Sequence, residues 1–89
     1  MNTHYIRPHE ARVNITWGGQ NGDLQEPVPF DATDRELKRW VSEAISGGSV
    51  PGIHARRRVD LRGFVIDRFP ASATTPFNRI FLRPKTPFG

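Results

Sequence analysis

The sequence predicts an α+β domain in which one amphipathic helix packs against a mixed β-sheet. Residues 30–48 are the only stretch with every feature of a capped amphipathic helix. The other apolar residues lie in short runs rich in β-forming residues on both sides of that stretch. Because a helix with one apolar stripe must bury it against another element, these runs are expected to cover the stripe as a sheet. The expected order of elements is β-β-α-β-β.

The helix has recognisable signals at both ends. Thr33 is the expected N-cap, and Glu36 follows it at the spacing of a capping box. The tandem glycines Gly47 and Gly48 are expected to stop the helix. Between these ends, one apolar stripe recurs at helical spacing and consists of Leu37, Trp40, Val41, Ala44 and Ile45.

Two strands are expected before the helix. Residues 12–17 alternate apolar and polar side chains, as a half-buried strand does. The glycine- and asparagine-rich residues 18–23 are expected to form a reverse turn. Residues 24–30 then return as a second strand, and Pro27 and Pro29 place it at a sheet edge because proline cannot donate to the ladder.

Two further strands are expected after the helix, at residues 63–69 and 79–83, and residues 49–53 between them and the helix are expected to form a turn. Alternation directs Val65 and Asp67 outward on the first of these strands, since the other register would bury Asp67. The first and last strands are expected to lie side by side and parallel at the sheet centre. The predicted core consists of Val13, Ile15, Trp17, Val28, Phe30, Leu37, Trp40, Val41, Ile45, Phe64, Ile66, Ile80 and Leu82.

Length and composition limit the possible classes of protein. Eighty-nine residues with a net charge of +4 make one domain, with a loose arm expected at residues 1–11, the folded domain at 12–83 and an extended tail at 84–89. The absence of cysteine excludes disulfides and thiolate chemistry. No apolar run approaches the length of a membrane span, and the first residues do not form a signal peptide, so a cytoplasmic protein without membrane contact is expected.

The polar residues indicate neither an enzyme nor a metal protein. No Ser-His-Asp pattern or metal-ligand spacing is visible, and His4 and His9 are interpreted as exposed residues of the arm. Three successive arginines at residues 56–58 could contact phosphates, but no aromatic residues alternate with them as in a nucleic-acid platform. A nucleic-acid binder is therefore less favoured than the two functions given below, a protein modifier and a protein-interaction module. The protein is expected to be a monomer that needs no cofactor.

The order of the elements resembles the β-grasp fold of ubiquitin and its relatives from about residue 12 onward. An opening hairpin is followed by the helix TDRELKRWVSEAI, the turn GGSVPGI, the strand FVIDRF and the final strand NRIFLR, which runs into a short tail ending in glycine. The tail departs from the usual Gly-Gly ending because Phe88 precedes Gly89. Bacterial ubiquitin-like modifiers, some encoded beside their own conjugation enzymes in antiviral defence operons, have more varied tails, and the chain is most similar to these.

The resemblance implies a function and a set of site residues. In ubiquitin-like modifiers, an ATP-dependent enzyme activates the carboxylate of the C-terminal glycine, here Gly89, and the protein is then conjugated to a target. Activating and conjugating enzymes and a target protein are the implied partners. The implied recognition residues are the tail, Pro84, Lys85, Thr86, Pro87 and Phe88, and an outward patch of the sheet, Val65, Arg79, Phe81 and Arg83. The alternative is a ubiquitin-like interaction or scaffold module that is never conjugated.

Overall fold

The computed structural model describes residues 6–85 of the chain. One helix and five strands make up this part, and all five strands belong to one mixed sheet. The elements in chain order are β1 (Glu10–Trp17), β2 (Gln20–Asp23), β3 (Val28–Pro29), α1 (Asp34–Ser46), β4 (Val65–Phe69) and β5 (Asn78–Arg83). The predicted α+β class and mixed sheet are confirmed.

The two longest strands lie at the sheet centre. The strand order is β2-β1-β5-β4, and β1 and β5 run parallel, as the sequence predicted. β2 and β3 both pair antiparallel with β1, and β4 pairs antiparallel with β5. Strict alternation buries Val13 and Ile15 of β1 and Ile80 and Leu82 of β5 on the same face of the sheet. The other face of the sheet, which we call the outer face, turns away from this core.

The predicted turn at residues 18–23 is wrong. Only Gly18 and Gly19 form the turn, both with positive φ (59° and 75°), which suits the tight turn of a β-hairpin. The polar residues after them form β2, because their side chains have partners on β1. Asn14 donates to the carboxylate of Asp23 at 2.7 Å, and Asn21 exchanges hydrogen bonds with Asn14 at 2.9 Å. Residues 20–23 have a composition typical of turns, but their polar side chains form a ladder of hydrogen bonds with β1 on the outer face, which we call the polar ladder.

The expected second strand and N-terminal arm also need correction. Residues 24–30 contribute only the two-residue β3, which pairs with Glu10 and Ala11 at the start of β1. The sequence places those two residues in the arm, but Ala11 is fully buried. The buried side chain of Asn78 holds this region by donating to the carbonyl oxygens of Pro8 (2.8 Å) and Glu10 (2.9 Å). The folded unit therefore begins before residue 12.

The helix begins as the sequence predicted. The backbone N–H of Glu36 donates to the Thr33 hydroxyl at 3.1 Å, and the Glu36 carboxylate accepts from the Thr33 N–H at 3.0 Å. These hydrogen bonds to Thr33 lower the pKa of Glu36. At the other end, Gly47 is the C-cap and Gly48 adopts positive φ (74°), which glycine allows without steric cost. Local chemistry is therefore sufficient to place both ends.

The helix packs on the sheet through fewer residues than its stripe suggests. Leu37, Val41 and Ile45 are fully buried, whereas Trp40 and Ala44 are only partly buried at the margin of the core. Three other predicted core residues, Phe30, Phe64 and Ile66, are also only partly buried. The apolar stripe is wider than the contact with the sheet, so the residues at its margin remain partly exposed.

The connection between α1 and β4 supplies core residues that the sequence did not indicate. Val50, Ile53 and Leu61 are at most 4% exposed although they lie outside helices and strands, and Ala11 and Ala32 are also buried. Residues 49–54 run beside β2, where Gln20 donates to the carbonyl of His54 at 3.2 Å and accepts from its N–H at 2.8 Å. The segment predicted as a turn therefore closes one side of the core.

The missing side chain of Gly22 makes room for this connection. Gly22 pairs with Ile15 and faces the core, and a Cβ there would lie 2.3 Å from the carbonyl oxygen of Pro51 and 2.9 Å from Cγ1 of Val50. We expect Gly22→Ala to lower the free energy of unfolding by about 2–3 kcal/mol, because backbone must move to accept the methyl group. Urea denaturation measures the change. Gly47→Ala is the control, since its φ is −83° and the nearest atom would be 3.3 Å away; equal effects would contradict the close packing of residues 50–53 on β2.

Candidate interaction surface on the outer sheet face

The outer face of the sheet divides into a polar half and an aromatic half. On β1 and β2, Asn14, Thr16, Asn21 and Asp23 form the polar ladder, in which Asn21 also donates to the Thr16 hydroxyl at 3.0 Å. On β4 and β5, phenylalanine and arginine side chains replace these amides. We call Phe69, Arg79, Phe81 and Arg83 the arginine–phenylalanine cluster.

Register and alternation bring this cluster together. Phe69 of β4 is the cross-strand partner of Arg79, and Val65 is the partner of Arg83. Phe81 lies between the two arginines on β5, and its ring meets that of Phe69 edge to face with centroids 5.6 Å apart. Such edge-to-face pairs stabilise by about 0.5–1.5 kcal/mol beyond the area they bury.

Both arginines of the cluster lie over aromatic rings. The guanidinium carbon of Arg79 lies 5.4 Å from the ring centroid of Phe69 and 5.7 Å from that of Phe81. The guanidinium of Arg83 lies 5.0 Å from the centroid of Phe81. These distances fall within the range of cation–π attraction, which restricts the arginine side chains in the free protein. The outward Phe81 is therefore half-buried by its arginine neighbours.

Arg79 has unused hydrogen-bonding capacity. Its Nε is buried and has no acceptor among the described residues. Leaving a buried donor without an acceptor costs about 1–3 kcal/mol, which the two ring contacts offset in part. Within residues 6–85, the ion pairs are Arg62–Asp60 (2.7 Å) and Arg68–Asp34 (2.6 Å), so neither cluster arginine has a carboxylate partner there. Two restrained guanidinium groups therefore face outward, and Asp67, the outward carboxylate opposite Phe81, forms no ion pair with either of them.

The structure brings together the sheet residues that the sequence singled out. Val65, Arg79, Phe81 and Arg83 all lie on the outer face of β4 and β5, as predicted. Phe69 was missed, although the alternation that directs Val65 and Asp67 outward also directs Phe69 outward. Val65 (42% exposed) and Phe69 (41%) are the exposed large hydrophobic residues in the described part of the chain. Both belong to the edge strand β4.

The predicted tail site is only partly described. Pro84 is half-buried and Lys85 is exposed directly after β5. The other predicted tail residues, Thr86, Pro87, Phe88 and Gly89, lie outside the described residues. The predicted conjugation site and most of the predicted tail-recognition residues therefore stay predictions.

The arginine run near the end of the sheet is exposed and partly held in place. The guanidinium of Arg57 lies 4.8 Å from the ring centroid of Trp17, a residue that is 4% exposed. Further along this connection, hydrogen bonds from the side chain and backbone of Arg62 lower the pKa of Asp60 to about 2. Arg56 and Arg58 are exposed. This run therefore provides positive charge near β1 but has no exposed aromatic neighbour.

The opposite side of the domain, where α1 packs, carries an apolar groove. It has a volume of about 450 Å³ between α1 and the residues around β3. Its lining is largely apolar, with Leu24, Pro27, Trp40 and Ala44, and Glu26 is the only ionisable side chain in that lining. One carboxylate without a second titratable group provides no acid–base pair. The groove thus offers an apolar surface rather than a catalytic constellation.

Residues 6–85 lack two further kinds of structural feature. They contain no group of three histidine or acidic side chains placed to hold a metal ion. The helix they contain, thirteen residues long, falls short of the length and apolarity needed to cross a membrane.

Comparisons with models of known protein families, with curated proteins and with solved structures found no match.

Proposed function

We propose that this protein is a ubiquitin-like modifier with a β-grasp fold, recognised by its partner enzymes through the outer face of β4 and β5. The support for the fold is the element order and the parallel pairing of β1 with β5 across α1. The support for recognition is the arginine–phenylalanine cluster beside Val65. This cluster combines exposed apolar area with arginine and aromatic side chains, which are enriched at protein interfaces relative to the rest of the protein surface.

The position of the cluster relative to the tail carries the proposal. Arg83 belongs to the cluster and is also the last residue of β5, so the tail begins at the next residue. Six extended residues span at most about 20 Å. A partner that binds the outer face therefore has Gly89 within reach of a second site on the same partner. Docking on the face would orient the tail, and the tail would supply the reacting group.

The chemistry proposed for the tail uses the partner's machinery. A carboxylate does not acylate a thiol or amine at neutral pH, so the carboxylate of Gly89 attacks the α-phosphate of ATP and releases pyrophosphate. A thiolate of the partner then attacks the acyl carbon and displaces AMP, leaving a thioester. Glycine suits this step because it has no Cβ at the reacting position. Phe88 is the proposed specificity residue beside it.

Deleting Gly89 tests the conjugation. We expect the deleted protein to fold as wild type but to form no covalent adducts in its native host, because the next carboxylate belongs to the bulkier Phe88. Mass spectrometry of affinity-purified protein measures adducts joined through Gly89, and circular dichroism checks the fold. Ala73→Asp, an exposed loop substitution, is the matched control and should form adducts normally.

The contrary result would favour the non-conjugated alternative. If the partner enzymes are active in the host and the protein lacking Gly89 supports the same phenotype as wild type, conjugation is not its function. The outer face would then act as a binding surface by itself, as in a ubiquitin-like interaction or scaffold module. The arginine–phenylalanine cluster is compatible with that function because none of its residues belongs to the tail.

A further inference from the structure

The two edges of the sheet differ in how well they are covered. β2 forms one edge, and residues 49–54 run beside it, with the carbonyl oxygen of Asn21 only 2.7 Å from a Cβ built on Gly52. β4 forms the other edge. Within residues 6–85, its backbone makes no hydrogen bond beyond its ladder with β5. Since alternate residues of an edge strand direct their N–H and C=O groups outward, β4 presents unpaired backbone groups.

Of the devices that usually protect an edge strand, β4 has only its charged side chains, Asp67 and the inward Arg68. It contains no proline and no lysine, and none of its residues has a positive φ. Its outward residues at the two ends, Val65 and Phe69, are the exposed large hydrophobics of the described chain. Its inward residue Arg68 is engaged, donating to the carbonyl of Phe30 at 3.0 Å and to Asp34 at 2.6 Å. The edge is therefore regular and open, with exposed apolar residues at both ends of its outer face and Asp67 between them.

The charge beside this edge is positive on the outer face. The guanidinium of Arg79 lies over the ring of Phe69, so it reaches from β5 toward the open edge. A strand that paired with β4 would lie about 4.8 Å from β4. A carboxylate side chain on that strand, placed opposite Phe69 on the outer face, would be within reach of Arg79. Arginine binds carboxylates through two parallel N–H donors when its guanidinium is held in place. The open backbone edge of β4 and the positive charge of Arg79 thus match a ligand that is both extended and acidic.

We propose that the open edge of β4 binds an extended acidic peptide segment of a partner protein, which joins the sheet as a further strand. Its backbone pairs with β4, one outer-face carboxylate pairs with Arg79, and a second lies beside Val65 and Arg83. This inference deepens the proposed function, on which it rests, by naming the kind of partner segment that the outer face receives. Backbone pairing supplies binding energy, and the alternating side chains supply selectivity.

A second copy of this chain does not fit the edge as well. Asp67 is the middle residue of the five-residue β4. Antiparallel pairing of β4 with itself in register would place Asp67 directly opposite Asp67, and like charges facing each other across a strand pair are destabilising. It would also bring a second set of unpaired arginines to the same face. The charges on and around β4 therefore favour a peptide of different composition.

A synthetic peptide tests the proposal directly. The probe is acetyl-Glu-Val-Thr-Val-Glu-amide, which puts both glutamates on one face and a threonine, able to donate a hydrogen bond, opposite Asp67. The control peptide has lysine in place of both glutamates. We expect two-dimensional NMR of nitrogen-labelled protein to show the acidic peptide shifting the amide signals of residues 65–69, with binding at least about tenfold tighter than that of the lysine peptide. Hydrogen exchange should slow in the complex for those amides of β4 whose N–H groups point away from β5.

A charge reversal provides the matched protein variant. Arg79→Glu should lower the affinity for the acidic peptide by about tenfold or more and raise the affinity for the lysine peptide, because the preference between the peptides depends on the sign of the charge at residue 79. Arg56→Glu makes the same change in charge on the exposed run away from β4 and should leave both affinities nearly unchanged. If Arg79→Glu disturbs the fold, the comparison of the two peptides on wild-type protein still decides the question.

Three results would overturn the proposal. Equal affinity for the two peptides would show that Arg79 does not select for carboxylates. Signal shifts confined to residues 54–58 would show that the acidic peptide binds the arginine run at residues 56–58 instead of β4. Slow exchange of the β4 amides in the free protein, together with a dimeric mass in sedimentation, would show that a second copy occupies the edge. None of these measurements involves Gly89, so a failure of the strand proposal can be distinguished from a failure of the conjugation proposal.

Discussion

Replacing Leu37 by alanine should lower the free energy of unfolding by about 3–5 kcal/mol, the upper part of the range for buried leucines. Leu37 is fully buried in the cluster that joins α1 to the inward residues of β1 and β5. Removing its branched side chain leaves a cavity between two rigid elements, which close-packed neighbours fill only partly. In a domain of this size the loss approaches the whole stability, so the thermal midpoint should fall sharply.

Trp40 on the same helix is the control for this experiment. It has the larger side chain but is only partly buried, beside the groove formed with Leu24 and Pro27. We expect Trp40→Ala to cost about 1–2 kcal/mol, less than Leu37→Ala, because part of its surface already contacts water. Urea denaturation of both variants gives the comparison. A larger loss for Trp40→Ala would mean that Trp40 is a core residue, as its place in the apolar stripe predicts, and that it contributes more to the packing than Leu37.

Replacing Phe81 by aspartate should abolish the formation of Gly89 adducts while the fold remains intact. Phe81 lies in the middle of the arginine–phenylalanine cluster, and its ring contacts Phe69, Arg79 and Arg83. An aspartate there would pair with the two arginines and would face Asp67, its cross-strand partner. The apolar centre and the positive charge of the surface would be lost together, and central residues of this kind dominate interface energies.

The yield of adducts in the native host, measured by mass spectrometry, should fall at least about tenfold for Phe81→Asp, since a lost hot-spot residue costs 2 kcal/mol or more. Val65→Asp tests the part of the surface on β4 and should also lower the yield of adducts. Ala73→Asp adds an equal charge on the exposed loop before β5 and should change nothing. Normal adduct yields from both face variants would place the recognition surface elsewhere on the domain.

Parts of the candidate site were predictable and parts were not. Alternation alone directed Val65, Arg79, Phe81 and Arg83 to one face, because side chains of a strand alternate whatever the strand packs against. The stacking of the two guanidinium groups on Phe69 and Phe81 depends on cross-strand register, which a single strand does not encode. The open edge of β4 depends on which strands become neighbours, and that is settled only when the sheet assembles.

Features whose causes lie within a few residues of each other could be predicted from the sequence. These are the capping box of Thr33 and Glu36, the stop at Gly48, and the inward and outward faces of β1 and β5. Features that need partners distant in the chain depend on how the elements pack together. The polar residues 20–23 became a strand because Asn14 and Thr16 lay opposite them, and Val50 and Ile53 entered the core because Gly22 left space. Trp40 became a marginal residue because the sheet covers only part of the helix stripe, and the width of that contact is a property of two packed elements rather than of either sequence alone.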